Sequence, residues 1–133
     1  MTAPDDMLSL AREMMARAYA PYSQFHVGAA LRGESGRIYG GANVENAAYP
    51  QGVCAEASAI SALIGGGDRR ITEVLVIAKG DGLVTPCGGC RQKLREFAAD
   101  DVNIHIAGPE GHRRSVTLGE LLPLSFGPEN LKP

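Results

Sequence analysis

The sequence predicts an α/β fold with three layers, α-β-α, around one mixed five-stranded sheet. Three observations lead there. Helical and alternating apolar patterns follow one another in the order α-β-β-α-β-α-β-β-α. Residues 74–78 form the continuous apolar run Val74-Leu75-Val76-Ile77-Ala78, as a central strand covered on both faces requires. The connection Gly108-Pro109-Glu110-Gly111 is too short for a parallel crossover, so the last two strands run antiparallel.

Each element carries its own signal. Met7, Leu10, Ala11, Met14 and Ala18 recur at helical spacing and predict a helix over 3–19. Thr2 is its expected N-cap, with Asp5 three residues on, and Pro21 enforces the stop. Phe25, Val27, Ala29 and Leu31 alternate as a strand, and the turn Gly33-Glu34-Ser35-Gly36 leads to a second strand over 37–44. Residues 45–53 lack periodicity and read as loop. A helix over 54–64 ends at Gly65-Gly66-Gly67. The turn-rich stretch 80–89 precedes a helix over 90–99. Val102, Ile104 and Ile106 then alternate as a fourth strand, and a fifth follows over 113–117. A short helix over 118–122 and a Pro/Gly-containing tail finish the chain. Without a repeat, linker or low-complexity tract, residues 1–133 read as one domain.

Composition removes whole classes of function. Apolar residues make up 44% and charged residues 21%, which is globular composition and excludes disorder. Thirteen Lys and Arg against fifteen Asp and Glu give a net charge of −2, with no basic excess to neutralise phosphates; no nucleic-acid partner is expected. No apolar run approaches a membrane span, and the acidic start Met1-Thr2-Ala3-Pro4-Asp5-Asp6 is unlike a signal peptide. The expectation is a cytoplasmic chain with no membrane partner. Three cysteines cannot all pair within one chain, and reduced, grouped cysteines point to metal or catalysis before disulfides.

Two segments carry the chemistry, Val53-Cys54-Ala55-Glu56 and Thr85-Pro86-Cys87-Gly88-Gly89-Cys90, each at the start of a predicted helix. Cys87 and Cys90 are close enough in sequence to clasp one tetrahedral ion, and Cys54 completes a three-ligand set. Three protein ligands leave the fourth zinc position to water, which marks a catalytic site rather than a closed structural one. Both helix N-termini favour thiolate over thiol. Glu56 reads either as an ordinary first-turn acid or as the proton carrier that the metal itself does not supply; its coupling to Pro-Cys-x-x-Cys favours the carrier. A structural zinc site needs a fourth ligand, and none of His26, His105 and His112 has helpful spacing, so none is assigned to the metal. Three thiolates leave the site net negative; Arg91, directly after Cys90, and the helix ends are candidates to offset that charge.

These two segments resemble the zinc-dependent nucleobase deaminases. Further segments narrow the resemblance to the short, homotetrameric cytidine deaminases. They are Pro21-Tyr22-Ser23 with Phe25, Val27-Gly28-Ala29-Ala30, Asn43-Val44-Glu45-Asn46, Cys90-Arg91-Gln92, Leu121-Leu122-Pro123 and Phe126-Gly127-Pro128-Glu129. The resemblance spans nearly the whole chain and implies a cytidine deaminase-like fold. It implies hydrolytic deamination of cytidine and 2′-deoxycytidine to uridine and 2′-deoxyuridine with release of ammonia, a reaction of pyrimidine salvage. One zinc ion per chain sits on Cys54, Cys87 and Cys90 in that picture, with zinc-bound hydroxide as nucleophile and Glu56 as proton shuttle. The Ala55 backbone meets the base edge, Phe25 packs on the base, and Asn43 and Glu45 hold the ribose 3′-hydroxyl. The resemblance also implies a homotetramer in which Ala47, Tyr49 and Phe126 reach a neighbour's pocket.

The residues themselves leave some of this open. Phe25 alternates with core residues, so core packing competes with base stacking. Tyr49 and Phe126 need burial, which either a subunit contact or their own domain supplies. The charge of Glu45 would repel a nearby 5′-phosphate, which favours nucleoside over nucleotide. One departure stands out: Ala57 occupies the position where many relatives carry Arg. The nearest alternative is a deaminase of another cytosine-bearing small molecule, of the blasticidin S type, against which Asn43-Val44-Glu45-Asn46 argues. A non-catalytic zinc module is the alternative from another class.

Overall fold

The computed structural model describes residues 1–132. Five strands, β1 (Val27–Gly33), β2 (Ile38–Ala42), β3 (Ile71–Ala78), β4 (Asn103–Gly108) and β5 (Gly111–Thr117), form one sheet in the order β2-β1-β3-β4-β5. Only β3 and β4 pair in parallel; β1/β2, β1/β3 and β4/β5 are antiparallel. Helix α1 (Asp5–Arg17) packs on one face, while α2 (Ala55–Gly65) and α3 (Gly88–Phe97) cover the other. A short helix α4 (Leu118–Leu121) follows β5.

The apolar run of β3 explains the layering. Val74 and Val76 pack with Leu63 of α2 and Leu94 of α3, whereas Leu75 and Ile77 meet Met7 and Ala11 of α1. All eight side chains are at most 1% exposed. Burying each of the larger ones contributes about 1.5–3 kcal/mol, so one strand with alternate side chains ties three layers together. Only Pro109 and Glu110 separate β4 from β5, and the two strands do pair antiparallel.

The sequence expectation fails at several element ends, each for a local reason. Thr2 does not cap α1. Pro4 does, with φ −61 and no side-chain cap bond, because proline's fixed φ suits a helix start, and Asp5 and Asp6 then face the positive end. Strand β1 begins at Val27 rather than Phe25, since Gln24 adopts φ 61 and turns the chain just before it. Strand β2 ends at Ala42, because Val44 leaves the ladder to bridge Tyr19 and Val53. Residues 45–53 include a 3-10 turn at Tyr49–Gln51. Strand β3 starts at Ile71 and α3 at Gly88, both earlier than expected.

Register brings the functional segments to one edge. Val27 pairs with Ala78 and Gly28 with Ala42, so the start of β1 meets the ends of β2 and β3. Helix α2 begins directly over this edge. At Gly41 an added Cβ would lie 2.3 Å from both Ala55 O and Ala59 N. Only glycine lets the first turns of α2 rest on the strand's backbone.

Candidate active site and metal centre

Cys54 is the N-cap of α2 and Cys87 the N-cap of α3, while Cys90 is the third residue of α3. Cap and third position are the pair that a capping box links, side chain to backbone. Here two thiols, Cys87 and Cys90, take those places on α3. The three sulfurs lie within 4.8 Å of one another. Zinc with Zn–S near 2.3 Å in a tetrahedron needs sulfurs roughly 3.8 Å apart, so the cluster fits the ion with small side-chain adjustments. Cys90 is buried, and Cys54 and Cys87 are exposed. Among the described residues this is the one cluster of three or more His, Cys, Asp or Glu able to hold a metal.

The electrostatics of the cluster suit a cation. Desolvation pushes the Cys54 thiol up, and desolvation with the nearby Glu56 charge pushes Cys90 far up. Cys87 moves down, chiefly because the Cys90 N–H donates to it. Two helix N-termini point at the group, favouring bound thiolates. A metal that displaces the thiol protons therefore meets a prearranged donor set.

Glu56, in the first turn of α2, is 5% exposed. Burial raises its pKa, with its own backbone N–H and the Lys93 charge opposing. A carboxyl moved toward neutrality in this way can both give and take a proton.

Beside the cluster lies a cavity of about 190 Å³ lined by Phe25, Val27, Asn43, Cys54, Ala55, Glu56, Val76, Val84, Thr85 and Cys87. Sites for drug-sized ligands span about 300–1,000 Å³, so this one takes a single ring and leaves a larger ligand partly outside. The sequence-predicted residues Phe25, Asn43, Cys54, Ala55, Glu56 and Cys87 therefore share one cavity, with Cys90 in the same sulfur cluster. Val27, Val76, Val84 and Thr85 were not anticipated. The valines carry no signal that separates a cavity wall from core; Thr85, next to Pro86-Cys87, was the one legible in principle.

Asn43 follows the last residue of β2. Its Oδ1 accepts from Val27 N–H at 2.9 Å and its Nδ2 donates to Phe25 C=O at 2.8 Å. One lone pair and one N–H of the carboxamide stay available. Glu45 lines a second cavity, of about 360 Å³, with Tyr22, Ser23, Asn46, Tyr49 and Gly52. Its carboxylate accepts from Tyr22 N–H at 3.0 Å, Ser23 N–H at 3.1 Å and the Ser23 hydroxyl. The Ser23 hydroxyl bond is the main cause holding Glu45 below its ordinary pKa.

The remaining predicted residues lie outside the cavity beside the sulfur cluster. Ala47 and Tyr49 are exposed, and the Tyr49 ring packs edge-on against Tyr22 with centroids 5.9 Å apart. Phe126 is 58% exposed on the tail. Arg91 gives its donors to oxygens: Nε to Pro86 O, one terminal nitrogen to Leu121 O and the other to Thr85 Oγ1, all within 2.8 Å. It thus ties the loop before Cys87 to the end of α4.

Comparison with known proteins agrees with this geometry. Residues 1–106 match the family model described as the cytidine and deoxycytidylate deaminase zinc-binding region. A cytidine deaminase of Sporosarcina psychrophila is 37% identical over 127 residues, covering 96% of this chain and 93% of that one. A cytidine deaminase of Mycobacterium tuberculosis is 39% identical over 121 residues, covering 91% and 87%. The crystal structure of a cytidine deaminase from Burkholderia pseudomallei superposes with a TM-score of 0.87 at 34% identity, covering 93% of this chain and 99% of that one. With its three-cysteine cluster at two helix starts and a family model matching most of its length, the chain belongs to the zinc-binding cytidine and deoxycytidylate deaminase family.

Proposed function

We propose that the chain catalyses zinc-dependent hydrolytic deamination of cytidine and 2′-deoxycytidine to the uridines, releasing ammonia. The observation that carries this reading is the convergence of three cysteine sulfurs and a buried carboxylate on a cavity the size of one ring. Cys54, Cys87 and Cys90 would hold the zinc, which when bound lowers the pKa of a water in its open fourth position. Glu56 takes a proton from the attacking water and delivers it to the ring nitrogen beside the reacting carbon as the new C–O bond forms. It then carries the second water proton to the exocyclic amine, so that the C–N bond breaks and ammonia departs.

The Ala55 backbone meets the base edge and Phe25 packs on the ring. Asn43 and Glu45 use their remaining hydrogen-bonding capacity on the sugar 3′-hydroxyl, which both nucleosides possess. The Glu45 charge, maintained by its three donors, turns away a 5′-phosphate. Arg91 and the N-termini of α2 and α3 offset the excess negative charge, Ala57 contributing none.

In this reading the 133 residues act as one catalytic domain in pyrimidine salvage, as a homotetramer whose neighbours lend Ala47, Tyr49 and Phe126 to each site. The exposure of Tyr49 (76%) and Phe126 (58%) supports such lending, since large exposed aromatics call for a partner. Thiolate ligands favour a reducing compartment, hence the cytoplasm. No helix among the described residues is long and apolar enough to cross a membrane.

The deciding experiment is to incubate zinc-quantified protein with cytidine and follow ammonia and uridine together. Equal release of both is the expected result. One zinc per chain with no turnover would overturn the substrate assignment and move the search to other cytosine compounds.

A further inference from the structure

Helix α3 does more than present Cys90. On its later turns, Arg95 reaches the C-terminal tail on both sides of Phe126. Its Nε donates to Ser125 Oγ at 2.8 Å, and a terminal nitrogen pairs with Glu129. A Cβ added at Gly127 would sit 2.4 Å from the Arg95 guanidinium carbon, so the tail backbone lies flat on the guanidinium. Asp100 stands 3.8 Å from Nε. One turn earlier, Gln92 Nε2 donates to the Phe126 carbonyl at 2.9 Å. The Arg95 side chain is 14% exposed, yet the Phe126 ring between its anchor points is 58% exposed. The backbone is pinned and the ring is left outward. Packing of the tail on its own domain would predict the reverse, a buried ring on a loosely held backbone.

We propose that Arg95 is a positioning residue that, with Gln92, clamps residues 125–129 onto α3 so that the Phe126 ring is held ready for the site of a second copy of the chain. This rests on the reading above that Phe126 serves a neighbouring site. Arginine is suited to the task because its planar fork serves Ser125 and Glu129 at once while its face takes Gly127; lysine offers one point charge and no plane.

The test uses zinc-loaded, assembled protein and reads kcat, KM for cytidine and zinc content separately. Phe126→Ala is expected to raise KM about tenfold, the scale of one lost aromatic contact. Arg95→Met, and Arg95→Lys, should raise KM by a similar factor, with kcat and zinc content unchanged. Because Arg95 acts through Phe126, the Arg95→Met/Phe126→Ala double variant should match Phe126→Ala within about twofold. If Arg95→Met does not fold, Glu129→Gln and Gly127→Ala loosen the same clamp from the tail and should raise KM likewise. A raised KM in Phe126→Ala with no change in the clamp variants would overturn the clamp while leaving the shared site intact. Additive effects in the double variant would also overturn it. Unchanged kinetics in Phe126→Ala would overturn the shared site and the clamp together.

Discussion

Asn43 adds a side-chain rung at the end of the sheet: its Oδ1 accepts the Val27 N–H at 2.9 Å, while its own N–H reaches the Val27 carbonyl at 3.4 Å. Its Nδ2 closes the rung on the Phe25 carbonyl at 2.8 Å, so one side chain fixes the strand start and the residue facing the ring cavity. Asn43→Ala removes both bonds and should cost about 1–3 kcal/mol, with a raised KM. Asn43→Asp keeps the acceptor, loses the donor and should cost less than the alanine variant. Urea unfolding orders the three proteins; equal midpoints would show that the rung does not hold this segment.

Glu56 lies buried where both the sulfur cluster and the ring cavity adjoin it. Glu56→Gln keeps shape and hydrogen-bonding capacity but cannot shuttle a proton. It should fold, bind zinc and lose about 10²–10⁴ in kcat. Single-turnover assays with metal analysis check this, and a folded, zinc-loaded variant with full turnover would remove Glu56 from the chemistry.

Burial raises the Cys54 and Cys90 thiols, so in the zinc-free chain at neutral pH both hold their protons. Zinc must displace them. Its apparent affinity should therefore rise with pH, by about one decade per unit for each thiol proton released. Chelator competition at several pH values measures the slope. A flat profile would mean that the donors are already ionised. Stripping the metal should also lower the melting temperature, since binding energy in this site is folding energy.

Asp68, 5% exposed, accepts from Ser35 Oγ at 2.6 Å and Tyr39 OH at 2.9 Å, joining the β1–β2 turn to the chain just beyond α2. The Ser35 bond is the main cause that lowers its pKa. A carboxyl depressed on folding contributes stability above its unfolded pKa, about 3.9, and loses that contribution as pH falls through the folded value. Asp68→Asn should be less stable than the parent at pH 7, and the gap should shrink in strong acid. Denaturation midpoints at both pH values decide; a gap that ignores pH would assign the effect to packing alone.

Sequence reading reached the parts of the site that are local. Cys87 and Cys90 sit on one helical turn, so their spacing exposed them, and Cys54 and Glu56, at one helix start, stood out only beside that pair. The sheet was legible because Val74–Ala78 has no polar face. What stayed hidden depends on distant partners. Val27 and Val76 look like core until the register brings them to the wall of a cavity, and Val84 reaches it from a loop. Gln24, whose φ of 61 excluded Phe25 from β1, gives no compositional warning that glycine or asparagine would give. Thr2 has a capping side chain, but Pro4 starts the helix because its fixed dihedral already suits the first turn. His105, left unassigned to the metal, has a role that its place in the sequence does not reveal. It is fully buried between Ser115 Oγ at 2.6 Å and Glu73 Oε2 at 2.5 Å, contacts no spacing rule could supply.

Gly41 gives this chain an unusual tolerance. Because the first turns of α2 touch strand backbone at that point, the height of Cys54 and Glu56 above the sheet is fixed by main-chain atoms. Exchanges among Leu63, Leu94 and Val74, deeper in the same layer, can alter stability by a few kcal/mol without resetting that height. Cys54 and Glu56 are in effect decoupled from the repacking of the core beneath them. A single methyl at position 41 would undo the decoupling by lifting Cys54 and Glu56 together, away from Phe25 and Asn43 on the far wall of the cavity.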